Sequence, residues 1–189
     1  MTPRAQGPAE HHREVAGLFT EKVVGTTDWD APAPVDGWVA RDVVRHLVTW
    51  LPEYLHSRKL PALPGGPSVE RDPVAAWQAQ AAGVQALLEG PDADLEFDDP
   101  YMGHQRLGEL VDRIYTGDVF MHTWDLARAT GQDDTLDAET CAVMLAGMEP
   151  IEEVMRSSGQ YGARVAVPDD ADAQTRMLGF IGRDPFWKP

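Results

Sequence analysis

The chain is short of cysteine, of positive charge and of long apolar runs. Cys141 is the single cysteine among 189 residues, so no intrachain disulfide can form, and a reducing compartment, the cytoplasm, is the expected home. Only 16 Lys+Arg stand against 31 Asp+Glu, a formal net charge of −15 at pH 7. Phosphate backbones and anionic lipid surfaces would repel such a chain, so neither a nucleic-acid nor a membrane partner is expected. No apolar run approaches the roughly 18–20 residues of a membrane span. The opening stretch, MTPRAQGPAEHHREV, lacks the apolar core of a signal peptide. A Gly-rich phosphate loop, a Gly-x-Ser-x-Gly elbow and a Cys-x-x-Cys pair are all missing. Nucleotide binding, serine hydrolysis and a structural zinc finger therefore have no support.

What is there reads as helices between Pro- and Gly-rich loops, with little strand signal. Hydrophobic residues make up 43% and charged residues 25%, a globular balance. One domain of this length buries roughly 70% of its unfolded surface. The first helix is expected over Ala9 to Val24, with Val15, Leu18, Phe19 and Val23 at helical spacing. The second runs from Ala40 to Arg58, and Pro52 inside it should kink or end it near Leu51. Asp72-Pro73 reads as the start of a third, which ends at Glu89 before Gly90-Pro91. The acid-rich stretch Glu89 to Asp99 reads as a solvated loop. A fourth helix spans Arg106 to Thr130 and is closed by Gly131. A fifth, Asp137 to Ser157, is bent at Pro150, and its Met144, Met148, Ile151 and Met155 offer an apolar face for a homodimer. Arg164 to Pro168 is a short extended piece, and Asp170 caps a last helix through Ile181. The expected fold is all-α: one domain over residues 1–189, its first four helices forming a bundle and further helices following.

The chemistry falls on the second and fourth helices. One i, i+4 row of the fourth reads Leu110, Ile114, Asp118, His122, Leu126, so two ionisable residues interrupt an apolar row. At that spacing a carboxylate and an imidazole stand on one face, a turn apart, and can share a proton or grip a metal ion. His46 lies on the core side of the second helix, in the stripe of Val43, Leu47 and Trp50. A buried Asp–His ion pair beside one satisfied histidine would explain the same three residues. Asp42, in the first turn, favours the helix dipole. Glu53 and Asp125 are candidates to support the cluster from outside it. His56 points about 80° away from His46 around the helix. His11 and His12 read as solvated, His104 as a residue near a pocket mouth, and the six tryptophans as core and loop anchors.

Two segments carry a family resemblance. Asp36-Gly-Trp-Val-Ala-Arg-Asp-Val-Val-Arg-His46-Leu-Val resembles the second-helix motif of the DinB-like metal-binding bundles. Asp118-Val-Phe-Met-His122-Thr-Trp-Asp-Leu-Ala-Arg-Ala-Thr-Gly131 resembles their other metal-bearing helix. Within that group the chain looks most like the N-terminal domain of mycothiol-dependent maleylpyruvate isomerase. Its tail, from Arg164 to Trp187, is similar to the ending of an uncharacterised actinobacterial branch. The resemblance implies a four-helix bundle holding one divalent ion, zinc by default with nickel, manganese or iron as alternatives, on His46, Asp118 and His122. Asp118 stands where many such proteins have a histidine and the isomerase a glutamate, so the ion must sit closer to the helix. Val39 stands where relatives carry a Ser or Thr cap, which leaves the capping to Asp36 or Asp42. The isomerase's further C-terminal domain has no counterpart here.

Two imidazoles and a carboxylate leave open positions on a first-row ion, as a catalytic metal requires. A thiol entering there is deprotonated and becomes a nucleophile. Cys141 reads as packed core, so the thiol must be external, and the resemblance makes it mycothiol. Three functions stay open: a metal- and thiol-dependent transferase or isomerase acting on a small electrophile, a metal-dependent hydrolase, and a non-catalytic metal-binding or interaction protein.

Overall fold

Helix-forming stretches with clear stop signals set the architecture of the computed structural model, which describes residues 7–189. Residues 1–6, part of the stretch read against a signal peptide, lie outside the described residues. Helix α1 (Pro8–Gly25) starts on a proline at its first position and buries Val15, Ala16, Phe19 and Val23. Leu18, expected in the same stripe, is exposed. Helix α2 (Ala40–Ser57) begins at Val39, whose backbone N–H donates to Asp42 Oδ2 at 2.9 Å, so Asp42 supplies the missing cap. Helix α3 (Pro73–Glu89) is capped by Asp72, whose Oδ1 accepts from the Ala75 N–H at 2.9 Å. The Phe19 and Trp77 rings meet edge to face at 4.5 Å and tie α1 to α3.

The acid-rich stretch is not a plain loop. Strand β1 (Glu96–Asp99) pairs antiparallel with β2 (Gly103–Arg106), Phe97 opposite Gln105. Asp99 turns inward and accepts from Tyr54 Oη at 2.8 Å and Arg58 Nε at 2.9 Å, both on or just past α2. The fourth helix is also interrupted. Short α4 (Leu107–Val111) passes through a π-helical turn, Asp112–Thr116, into α5 (Gly117–Ala129). That wider turn changes the rotation of α5 about its axis relative to α4. The Tyr115 hydroxyl donates to the Leu47 carbonyl at 3.1 Å and pins the turn to α2.

Every residue of α5 is buried except Asp118 and Arg128, as befits a central helix. Helices α1 and α2 each pack against both α3 and α5. Of the kink or end expected at Pro52, the end does not occur: α2 continues to Ser57. A proline inside a helix costs about 3 kcal/mol. Complete burial of Leu47, Leu51 and Leu55 on one face offsets that.

The chain ends in α6 (Ala138–Met148), α7 (Glu152–Ser157) and α8 (Ala173–Ile181). Pro150 falls in a 3₁₀ turn, Glu149–Ile151, which splits the expected fifth helix in two. Asp172, not Asp170, caps α8 through the Thr175 N–H at 2.8 Å. Residues 164–168 form no strand, though the Val165 N–H donates to the Gly179 carbonyl at 2.9 Å. The expected dimer face is largely consumed within the chain. Met155 is buried, Met144 and Met148 pack on the core, and only Ile151 of the four is exposed. No described helix is long and apolar enough to cross a membrane.

Candidate metal centre

Helix α2 presents His46, and α5 presents Asp118 and His122 one turn apart, to the same space. His46 Nε2 donates to Asp118 Oδ2 at 3.0 Å, and His122 Nε2 lies 3.5 Å from Asp118 Oδ1. The two imidazole rings are 4.8 Å apart, centre to centre. One ligand atom from each residue lies within 4.8 Å of the others, and the three could hold a metal ion. Bonds of about 2.0–2.2 Å in a tetrahedral site put ligand atoms about 3.4 Å apart, so side-chain rotations would have to draw the set together around an ion.

The surroundings explain how Asp118 and His122 stay charged although largely buried. Asp118 Oδ2 also accepts from Trp50 Nε1 at 2.9 Å. Burial opposes ionisation of Asp118, but His122 nearby and the hydrogen bonds of His46 and Trp50 outweigh it and hold the carboxyl below its ordinary value. Behind His122, Asp125 Oδ2 accepts from Nδ1 at 2.8 Å. Arg183 Nε and Nη2 in turn donate to Asp125 Oδ1 and Oδ2 at 2.9 and 3.1 Å. Burial would discharge His122, yet Asp118 and Asp125 raise its pKa above the ordinary value.

This chain of bonds has a chemical consequence. With Nδ1–H donated to Asp125, the neutral His122 ring has its lone pair on Nε2. That lone pair faces a carboxylate oxygen of Asp118 at 3.5 Å. Two acceptors face to face require a proton or a cation between them. A proton makes the site an ion pair; a divalent ion makes it a metal centre. The donor set fits either, and His46 adds the second imidazole that zinc-type ions favour.

The chain is 28% identical over 159 residues to two uncharacterised proteins of Mycobacterium tuberculosis, one from strain CDC 1551 and one from strain H37Rv. The match covers 80% of this chain and 83% of each relative. No family model matches the chain. No solved structure gives a significant match.

Trp38 and Trp50, both packed against the core, also flank the cluster. The Trp38 ring stacks on His122, with centres 5.9 Å apart and planes 16° from parallel, and tilts against His46 at 5.3 Å. Trp38 is set by the turn before α2: Gly37 has φ +73°, and the Trp38 carbonyl accepts from the Ala33 N–H at 2.9 Å. An open cleft of about 420 Å³ leads to the outer edge of the cluster, between Trp38, His46, Trp50 and Glu53.

The remaining sequence candidates lie elsewhere. His56 is exposed, and His104 pairs with Asp98 on the β1–β2 hairpin at 3.1 Å. His12 is buried rather than solvated, with Nδ1 on Gln85 Oε1 at 2.9 Å, and His11 is paired with Asp112 at 2.7 Å. Sequence reasoning does not reach Trp38, Arg183 or Tyr161. The Tyr161 hydroxyl is pushed up to about 12 by burial and then by the charge of Asp118. Only Trp38 carries a sequence signal, its place between a turn glycine and the start of α2.

Proposed function

We propose that the chain is a divalent-metal protein of the DinB-like four-helix-bundle type that uses an external thiol to act on a small electrophile, as a transferase or isomerase. The observation that carries this reading is the convergence of His46, Asp118 and His122 from two helices distant in sequence. The packing of α1 and α2 against both α3 and α5 supports the bundle half of it. Zinc is the default ion for two imidazoles and a carboxylate. A bound ion would supply Lewis acidity to a thiol or water in an open position.

The chain's own residues do the positioning. Asp125 fixes the tautomer of His122 and aims its Nε2 at the shared space. Trp50 holds one oxygen of Asp118 and so biases the carboxylate towards binding through the other. Trp38 and Trp50 exclude water from the flanks of the cluster, while the cleft beside His46 leaves room for a small ligand. Cys141 cannot be the nucleophile: it is buried on α6, and burial pushes its thiol up to about 11. The thiol must then come from outside, and mycothiol is the one the family resemblance implies.

Metal analysis of protein purified without chelators, followed by a thiol titration, tests the reading. About one divalent ion per chain is expected, lost in His122→Ala and kept in His56→Ala, with thiol binding that depends on the ion. Protein that takes up no ion even from excess zinc would overturn the metal reading and leave a buried Asp–His network. An ion without thiol affinity would remove the thiol half and favour activation of water.

A further inference from the structure

The geometry points to Arg183 as a positioning residue: delivered by the C-terminal segment, it orients His122 through Asp125 and thereby sets the affinity of the His46–Asp118–His122 set for a divalent ion. The inference rests on the reading of those three residues as metal ligands.

The Asp125 carboxylate is 1% exposed, so water cannot reorient or solvate it. Both of its oxygens are engaged by the Arg183 fork at 2.9 and 3.1 Å, and Oδ2 also takes the His122 Nδ1 proton at 2.8 Å. A carboxylate held by a bidentate guanidinium has a fixed plane, which a single point charge would not give it. The plane of Asp125 fixes the plane of the His122 ring, and the ring aims Nε2 at Asp118. Without Arg183 the carboxylate would be a buried charge with one weak partner, free to swing away from Nδ1.

The fold takes care to deliver this guanidinium. Gly182 ends α8 at φ +89°, and a Cβ there would come within 2.9 Å of Gly162. The Arg183 N–H donates to the Leu178 carbonyl at 2.9 Å, which fixes where its side chain departs. A second arginine, Arg128 on α5, holds the same segment by a separate route. Its Nε and Nη2 donate to the Trp187 and Pro185 carbonyls at 2.9 and 3.1 Å. Arg128 therefore separates docking of the tail from control of Asp125.

The test compares cobalt(II) and zinc(II) binding by wild type, Arg183→Met, Arg183→Lys and Arg128→Met, with circular dichroism as the check on folding. Arg183→Met should bind either ion about 10- to 100-fold more weakly, the usual effect of removing a partner behind a ligating histidine. Its cobalt complex should show an altered visible d–d spectrum. Arg183→Lys should recover part of the affinity, and Arg128→Met should bind as wild type does. Equal losses in Arg183→Met and Arg128→Met would overturn the inference, because tail docking alone would then explain them. Unchanged affinity in folded Arg183→Met would overturn it too. Should Arg183→Met fail to fold, the Arg183 Nε–H resonance of the wild-type chain is followed during zinc titration. A shift at stoichiometric zinc supports the coupling, and no shift overturns it. Wild type that binds neither ion would sink the metal reading itself, and this inference with it.

Discussion

His11 and His12 are adjacent in sequence and respond to pH with opposite signs. His11 shares a proton with Asp112, and that hydrogen bond raises its pKa above 6.5 against a partial burial that would lower it. Its stabilising effect is complete below pH 6.5 and disappears as pH rises through the raised value. His12 is buried against Gln85 and Tyr115, its Nε2 has no hydrogen-bond partner in the structure, and burial lowers its pKa. The folded state binds the His12 proton less readily than the unfolded state, so stability falls as pH drops below 6.5. His11→Ala should therefore lose stability at pH 5.5 and little at pH 8.5, while His12→Gln should be relatively more stable than wild type at pH 5.5. Urea denaturation at the two pH values checks both; parallel shifts would contradict the assignment. Sequence spacing makes neither behaviour visible, because Asp112 and Gln85 lie 101 and 73 residues from their partners. The metal candidates are legible for the opposite reason. Asp118 and His122 interrupt an apolar row within one helix, and local periodicity reports that directly. Arg183 acts through a contact 58 residues away in sequence and leaves no periodic trace.

Helix periodicity and caps locate α1, α2 and α3, and the end but not the start of α5, to within a few residues, through starting prolines, capping acids or a closing glycine. The β1–β2 hairpin and the π turn are not legible. Acid-rich composition points to solvent, and nothing local marks a π turn. What converts the acid run into structure is Asp99, whose partners sit at the end of α2. Burial would raise its pKa, but Arg58, the Tyr101 and Met102 backbone N–H groups and Tyr54 more than offset this and hold it at about 2. A carboxyl held below its unfolded value contributes stability above that value and loses it as pH falls through the lower one. Asp99→Asn should thus cost about 2 kcal/mol near neutral pH, by the usual conversion of pKa shift to free energy. The difference from wild type should shrink between about pH 4 and pH 2. A variant as stable as wild type at pH 7 would mean that the hairpin is held by β pairing alone.

At the scale of the whole molecule, charge and exposed apolar surface pull in opposite directions. A net charge of −15 keeps copies of the chain apart at low ionic strength. Yet the α6–α7 region leaves Val143 at 66%, Ile151 at 51% and Val154 at 69% exposure, three exposed apolar side chains that do not depend on the buried Met155. Two copies meeting there about a two-fold axis would bury them, which keeps the homodimer as a proposal while moving its face from the methionines to these three residues. The balance depends on salt. Screening shortens from about 30 Å at 0.01 M to about 8 Å at 0.15 M ionic strength, which removes repulsion without weakening apolar contact. Light scattering at tens of micromolar should therefore report a mass near 20.8 kDa at low salt and move towards twice that as salt is added. Val143→Glu together with Val154→Glu should hold the lower mass at every salt concentration, because each places a further negative charge where the copies meet. A wild-type mass that stays monomeric up to physiological salt would remove the dimer. A dimer that persists in the double variant would place the contact elsewhere.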